Sequence, residues 1–213
     1  MVNRSPGPLS QLPVAVRIVA LVALFCSVLL CGIWLLTKSR IQQQQDLFTR
    51  KQLTAVLGDT AYNNELHSDY LTLDNDQAND RIFRARLNGA PVATIYDTVS
   101  QQGYSGAIRM LVGIDMAQQL IGVRILEHRE TPGLGDAIEL RKSDWIKGFD
   151  GLSLETTLTD EWAVRKDGGK FDQFTGATIT PRAIVNQVYK TLAIHKEISK
   201  RIFQLDAGQR LTP

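Results

Sequence analysis

The sequence predicts an α+β fold, an antiparallel sheet with flanking helices, preceded by a single transmembrane helix. Three observations carry this. A run from Ile18 to Leu36, 19 residues long, holds no charge. Two later stretches, each divided by a turn signal, alternate apolar and polar residues as paired strands do. After Pro181 the apolar residues return at helical spacing.

The elements follow in chain order as a short N-terminal segment (1–17), a transmembrane helix (18–37), a helical stalk (38–58) and one domain (59–213). At about 1.5 Å per residue the apolar run spans roughly 28 Å, close to the hydrocarbon thickness of a bilayer. Arg17 flanks it on one side, Lys38 and Arg40 on the other, and Trp34 suits the interface. A signal peptide would have an apolar stretch of about 7–15 residues ending at small residues. Here Leu35-Leu36-Thr37-Lys38 follows, so a retained single-pass anchor is expected. Cys26 and Cys31 within it read as small apolar residues. Arg4 and Arg17 before the helix, against Lys38, Arg40, Arg50 and Lys51 after it, leave its orientation undecided on charge alone.

Ile41 to Gly58 has helix-forming composition with Leu47, Leu53 and Leu57 spaced along it, and Gln42–Gln45 reads as a solvated face. Residues 59–80 are polar and rich in Asp and Asn, a loop or ragged strand. Ile82–Leu87 and Pro91–Val99 flank Asn88-Gly89, a strong hairpin signal. Ala107–Ile114 and Leu120–Leu126 form a second pair through Asp115–Gln119. Asp136 to Gly148 should hold short helical pieces around Trp145, and Gly168-Gly169 a turn. In the last helix Thr180 suits the N-cap and Pro181 the first helical position, with Ile184, Val188, Leu192, Ile194, Ile198 and Ile202 as its apolar positions.

Composition narrows the chemistry. With 24 Lys+Arg against 22 Asp+Glu, the formal net charge is +2, unlike the basic surplus of a nucleic-acid binder. Two Cys and three His cannot build a disulfide framework or a closed metal site, and His67, His128 and His195 lack metal-ligand spacing. No P-loop, dinucleotide fingerprint or nucleophile elbow is present.

Asp172-Gln173-Phe174-Thr175-Gly176-Ala177-Thr178-Ile179-Thr180 stands directly before the Pro181 helix. Small residues admit a ligand close to the backbone, and a helix N-terminus favours an anion at Thr178. A capped turn without ligand reads equally well from these residues.

Asp172 with Thr175-Gly176-Ala177-Thr178 and Thr180 matches the D-x-x-[ST]-G-A-T-x-[ST] flavinylation motif of the FMN-binding domain family. Gly103-Tyr104-Ser105-Gly106 and Glu130-Thr131-Pro132-Gly133-Leu134-Gly135 agree with it in order. With the anchor, the chain resembles the G-type (RnfG) flavoprotein family of the Rnf (Rsx) ion-translocating electron transport complexes over most of its length. The equivalent C-type flavoprotein of the sodium-translocating NADH:quinone reductase shares the domain but is typically longer. A non-redox, membrane-anchored assembly domain and a free-standing flavin-dependent reductase are the alternatives from other classes.

The resemblance implies FMN joined by a phosphoester to Thr178, by a separate flavin transferase that uses FAD. It implies further cofactor contacts from Asp172, Thr175, Gly176, Ala177 and Thr180, and from Gly103, Tyr104, Ser105, Gly106, Glu130, Thr131 and Leu134. It also implies electron relay to the other subunits of the Rnf/Rsx complex, with no catalytic residue or metal of this chain's own and no nucleic-acid partner. The anchor would sit in the bacterial inner membrane with the FMN domain in the periplasm. Ion translocation would belong to multi-pass partners, because a single helix without intramembrane charge makes no pathway. No His or Lys lies within seven residues of Thr178, so activation of its hydroxyl falls to the transferase. Lys166 and Lys170 read as solvated surface that can offset phosphate charge, and His128 as structural.

Overall fold

A computed structural model of the chain describes residues 13–75 and 78–212. Most of the segment expected over 1–17, and the side chains of Gln42–Gln45, lie outside the described residues. The chain divides into two units, Met1–Phe48 and Thr49–Pro213.

Helix α1 runs from Val14 to Leu57. Its portion Val14–Arg40 is long and apolar enough to cross a membrane, judged by length and composition. Leu21, Val22, Leu24, Phe25, Leu29 and Leu36 all stand exposed. In water such surface costs about 25 cal/mol per Å², whereas hydrocarbon removes that cost. The hydroxyls of Ser27 and Thr37 donate to the carbonyls of Ala23 and Ile33, each at 2.8 Å. Both are thereby satisfied within the helix, as hydrocarbon demands.

The second unit is built on a six-stranded sheet. Its strands are β1 (Tyr70–Asn75), β2 (Ala78–Leu87), β3 (Ala90–Ser100), β4 (Ile108–Asp115), β5 (Leu120–Glu127) and β6 (Arg210–Leu211). They lie in the order β5-β4-β3-β2-β1-β6. All pairs are antiparallel except β1–β6, which is parallel. Asn88 and Gly89 take φ of 52° and 82°, the two positive values that a type I′ turn needs. Both expected hairpins form because their signals are local.

Alternation divides each strand between two cores. One face carries Ile82, Tyr96, Met110, Val112 and Val123, covered by helix α2 (Ile179–Ile202) through Ile184, Val188, Leu192, Ile198 and Ile202. The opposite face carries Phe83, Ala85, Ala93, Ile95 and Leu111, and is covered by Leu53, Val56 and Leu57 at the end of α1. Each fully buried Leu, Ile or Val contributes roughly 1.5–3 kcal/mol. The C-terminal end of α2 is held by Arg84, which donates to the carbonyls of Ile202 (2.9 Å) and Leu205 (2.6 Å). Asp69 pairs with the same guanidinium, so this buried charge is compensated.

Three features differ from the sequence expectation. The end of the stretch read as a stalk is core: positions 53, 56 and 57 form one helical stripe that packs on the sheet. Within the polar stretch 59–80, Leu71 and Leu73 are buried and form β1, although Asp and Asn surround them. Helix α2 starts at Ile179 with Thr178 as its N-cap residue, two positions before the expected start. Pro181 therefore falls at the third helical position. A missing N–H costs nothing there, because the first-turn donors have no intrahelical acceptor.

Candidate functional site

The site is organised by one carboxylate. Glu130 follows β5 and is 4% exposed. Its Oε1 accepts the backbone N–H of Ser105 at 3.0 Å. Its Oε2 accepts the hydroxyl of Thr180, which is fully buried. Segments around residues 103–106, 130–135 and 172–180 thus meet on Glu130, although they are far apart in sequence.

The two glycines nearest this carboxylate are required by space. A Cβ on Gly103 would approach Ile108 to 2.9 Å and Glu130 Oε1 to 3.0 Å. One on Gly135 would lie 2.9 Å from Glu130 Cβ and 3.1 Å from Thr180 Oγ1. Any larger residue forces the three segments apart.

The 130–135 segment is a tight turn. Leu134 and Gly135 donate their N–H groups to the Thr131 carbonyl at 3.1 and 3.0 Å. Gly133 N–H is taken by Asp136 Oδ1 at 2.8 Å. His128 bridges this turn to its neighbours. Its Nδ1 accepts the Glu130 N–H at 3.1 Å, so the ring proton belongs on Nε2, which faces Glu139 Oε1 at 3.1 Å. Arg141 holds the Glu139 carboxyl below its usual range, chiefly through their hydrogen bond.

The 172–180 segment turns at Phe174–Ala177, closed by Ala177 N–H to the Phe174 carbonyl at 3.2 Å. Gly176, with φ of 81°, occupies the third position of a type II turn. A Cβ there would meet Leu134 at 3.3 Å, so the two motifs touch at this point. Thr178 takes φ of −81° and ψ of −20°, helical values, and its side chain makes no capping bond. Its half-buried hydroxyl therefore stands unused by the fold at the start of a long helix. Thr180, expected to cap the helix, is committed to Glu130 instead.

A short 3₁₀ turn, Arg165–Asp167, brackets this segment at both ends. Arg165 pairs with exposed Asp172 at 3.1 Å. Asp167 receives a two-bond fork from Arg182, at 2.5 and 2.9 Å, and Arg182 Nη1 donates to the Thr178 carbonyl at 3.1 Å. Hydrogen bonding to Arg182 lowers the Asp167 pKa and raises that of the guanidinium. Trp145 Nε1 donates to the Asp172 carbonyl at 2.8 Å, and its ring packs edge-on against Phe174.

Among the residues singled out from sequence, Thr175, Gly176, Tyr104, Ser105, Gly106, Thr131 and Leu134 are exposed, and Ala177 and Gly103 half-buried. Tyr104 is 68% exposed, so it does not pack in the core. Glu130 and Thr180 lie beneath the surface and bind one another. Lys166 and Lys170 are exposed, while Arg165 and Arg182 make the ion pairs of this segment. Arg182 was missed from sequence. Its spacing of four from Thr178, one helical turn, was the available signal.

This donor set suits a phosphorylated flavin. An unused hydroxyl stands at a helix N-terminus, a guanidinium lies beside it, and exposed apolar Tyr104, Leu134 and Ile179 flank small residues. Residues 103–193 match the FMN-binding domain family. The chain is 45% identical to the G subunit of the ion-translocating oxidoreductase complex of Photorhabdus laumondii, over 81% of this chain and 84% of that one. It is 46% identical to the protein of the same name from Pasteurella multocida, over 80% and 87% of the two chains. With its counterpart from Shewanella piezotolerans it shares 40% identity over 90% and 92%.

Proposed function

The chain belongs to the family of G subunits of ion-translocating oxidoreductase complexes, and from that premise we propose that it is the membrane-anchored electron carrier of such a complex, with FMN esterified to Thr178. The observation that carries this reading is the assembly of the three motifs on Glu130, beside a Thr178 hydroxyl that the fold leaves uncapped. When bound, FMN supplies the electron-transfer chemistry. The chain's own residues attach, orient and shield it.

Thr178 Oγ1 takes the phosphoryl position. In attachment its oxygen forms the bond to the FMN phosphorus of FAD as the pyrophosphate bond breaks and AMP leaves. The hydroxyl proton passes to a base on the transferase, because threonine alone is a weak nucleophile. The phosphate would lie at the dipole-positive end of α2, where no acidic residue stands in the first turn. Gly176 and Ala177 let the backbone approach it, and Asp172 and Thr175, both exposed, face the transferase. Tyr104, Thr131 and Leu134 supply the surface against which the ring rests, and Gly103, Ser105 and Gly106 shape its edge. Glu130 and Thr180 act from below as positioning residues.

The 27-residue apolar part of α1 serves as a retained anchor in the bacterial inner membrane. Continuity of the same helix into Leu53, Val56 and Leu57 of the core supports retention, since one element serves both ends. The FMN domain would face the periplasm, where a covalent tether prevents loss of the flavin. Other members of the complex give and take the electrons and move the ion.

Intact mass of the chain, purified from cells that contain the flavin transferase, tests the reading. Wild type should carry one FMN that survives denaturation, and Thr178→Ala should carry none. Colourless wild-type protein of unmodified mass would sink it.

A further inference from the structure

Taking the proposed attachment at Thr178 as its basis, we infer that Arg182 holds the phosphate of the tethered cofactor, with Asp167 orienting the guanidinium. Arg182 Nη1 already bonds the carbonyl of Thr178, the residue whose hydroxyl would bear the ester. A phosphoryl group on that hydroxyl arrives beside a cation held in place by the fold.

The donor count leaves room for it. A guanidinium offers five N–H groups. Nε and one N–H of Nη2 go to Asp167, and one N–H of Nη1 goes to Thr178. One donor remains on each terminal nitrogen, and a phosphodiester presents two unesterified oxygens. Arginine is suited to this pairing because its planar fork is pre-organised and always charged. The Asp167 fork removes rotamer freedom that binding the phosphate would otherwise have to freeze.

Local charge points the same way. Between residues 165 and 182 stand four cations, Arg165, Lys166, Lys170 and Arg182, against two anions, Asp167 and Asp172. Both anions are already paired, with Arg182 and Arg165. The surplus accommodates one added negative charge without displacing either pair. A purely structural role for Arg182 would be to tie the 3₁₀ turn to α2, and that role predicts no contact with the phosphate.

Phosphorus NMR separates the two. The full chain is loaded by the transferase in detergent, and the phosphoester resonance is compared in the folded and urea-unfolded states. In wild type, folding should displace the resonance. Arg182→Gln should lose at least half of that displacement, and Arg182→Lys, which keeps charge without the fork, should fall between. Asp167→Asn should give a smaller change in the same direction, and it serves as the probe if Arg182→Gln loads poorly. Intact mass and tryptophan emission verify loading and folding in each case. A folded, loaded Arg182→Gln protein with the wild-type resonance overturns the inference while leaving attachment at Thr178 intact. Absence of the phosphoester from wild type overturns the attachment and this inference together.

Discussion

Replacing Glu130 with alanine removes both acceptors that join the three motifs. Thr180 is fully buried, so its hydroxyl is left without a partner, at a cost of roughly 1–3 kcal/mol. Ser105 is exposed and its N–H can turn to water, so its share falls at the low end of that range. The space vacated between Gly103 and Gly135 adds a cavity term, and the sum is about 3 kcal/mol. Urea unfolding of the full chain in detergent, followed by Trp145 and Trp162 emission in a Trp34→Phe background, measures it. With a slope of roughly 2 kcal/mol per molar urea, the midpoint should drop by about 1.5 M. Glu130→Gln should cost only about 1 kcal/mol, because its amide oxygen can serve Ser105 while its NH₂ donates to the Thr180 oxygen. Thr180→Val combined with Glu130→Ala should cost less than the two single changes together, since both break the same bond. Equal midpoints for Glu130→Ala and Glu130→Gln, or strict additivity with Thr180→Val, would refute the hub.

The buried pair Tyr96–His195 predicts a pH dependence. His195 Nδ1 lies 2.8 Å from the Tyr96 hydroxyl, and burial pulls its pKa down to about 4, with Asp115 opposing. The unfolded chain binds this proton near pH 6.5 and the folded one does not. Stability is therefore full above about pH 6.5 and falls toward pH 4, by roughly 1.4 kcal/mol per unit and about 3 kcal/mol in all. Glu139 and Asp167 are held below the usual carboxylate range, so their losses come at lower pH. Urea midpoints at pH 7.5 and 4.5 should converge in His195→Gln, and an unchanged gap there counts against the assignment. Leu57→Ala, at the buried end of α1, should destabilise the folded unit by about 2–5 kcal/mol. A midpoint like wild type would mean that the helix end is dispensable to the core.

Much of the fold was legible because its signals were local. Asn88-Gly89 set one hairpin and Asp115–Gln119 the other, and the spacing of Ile184, Val188, Leu192, Ile198 and Ile202 defined the face of α2. What failed to show depended on distant partners. Leu71 and Leu73 are too few to reveal a strand among Asp and Asn, and β6 has two residues whose pairing with β1 is long-range. The start of α2 moved because a proline tolerates any position in the first turn.

The attachment segment and its two companion motifs were readable as residues. From the sequence come the anchor-length apolar run, the class of fold and the threonine proposed to bear the flavin, since each rests on spacing within a single segment. That Glu130 binds Ser105 and Thr180, that Leu134 meets Gly176, and that Arg182 reaches the Thr178 carbonyl were decided by tertiary structure alone. The first two join segments that only the sheet and α2 bring together, and the third depends on which residue begins the helix. Hydrogen bonds of this kind form between groups whose separation along the chain carries no periodic signal, so the folded arrangement is their only record.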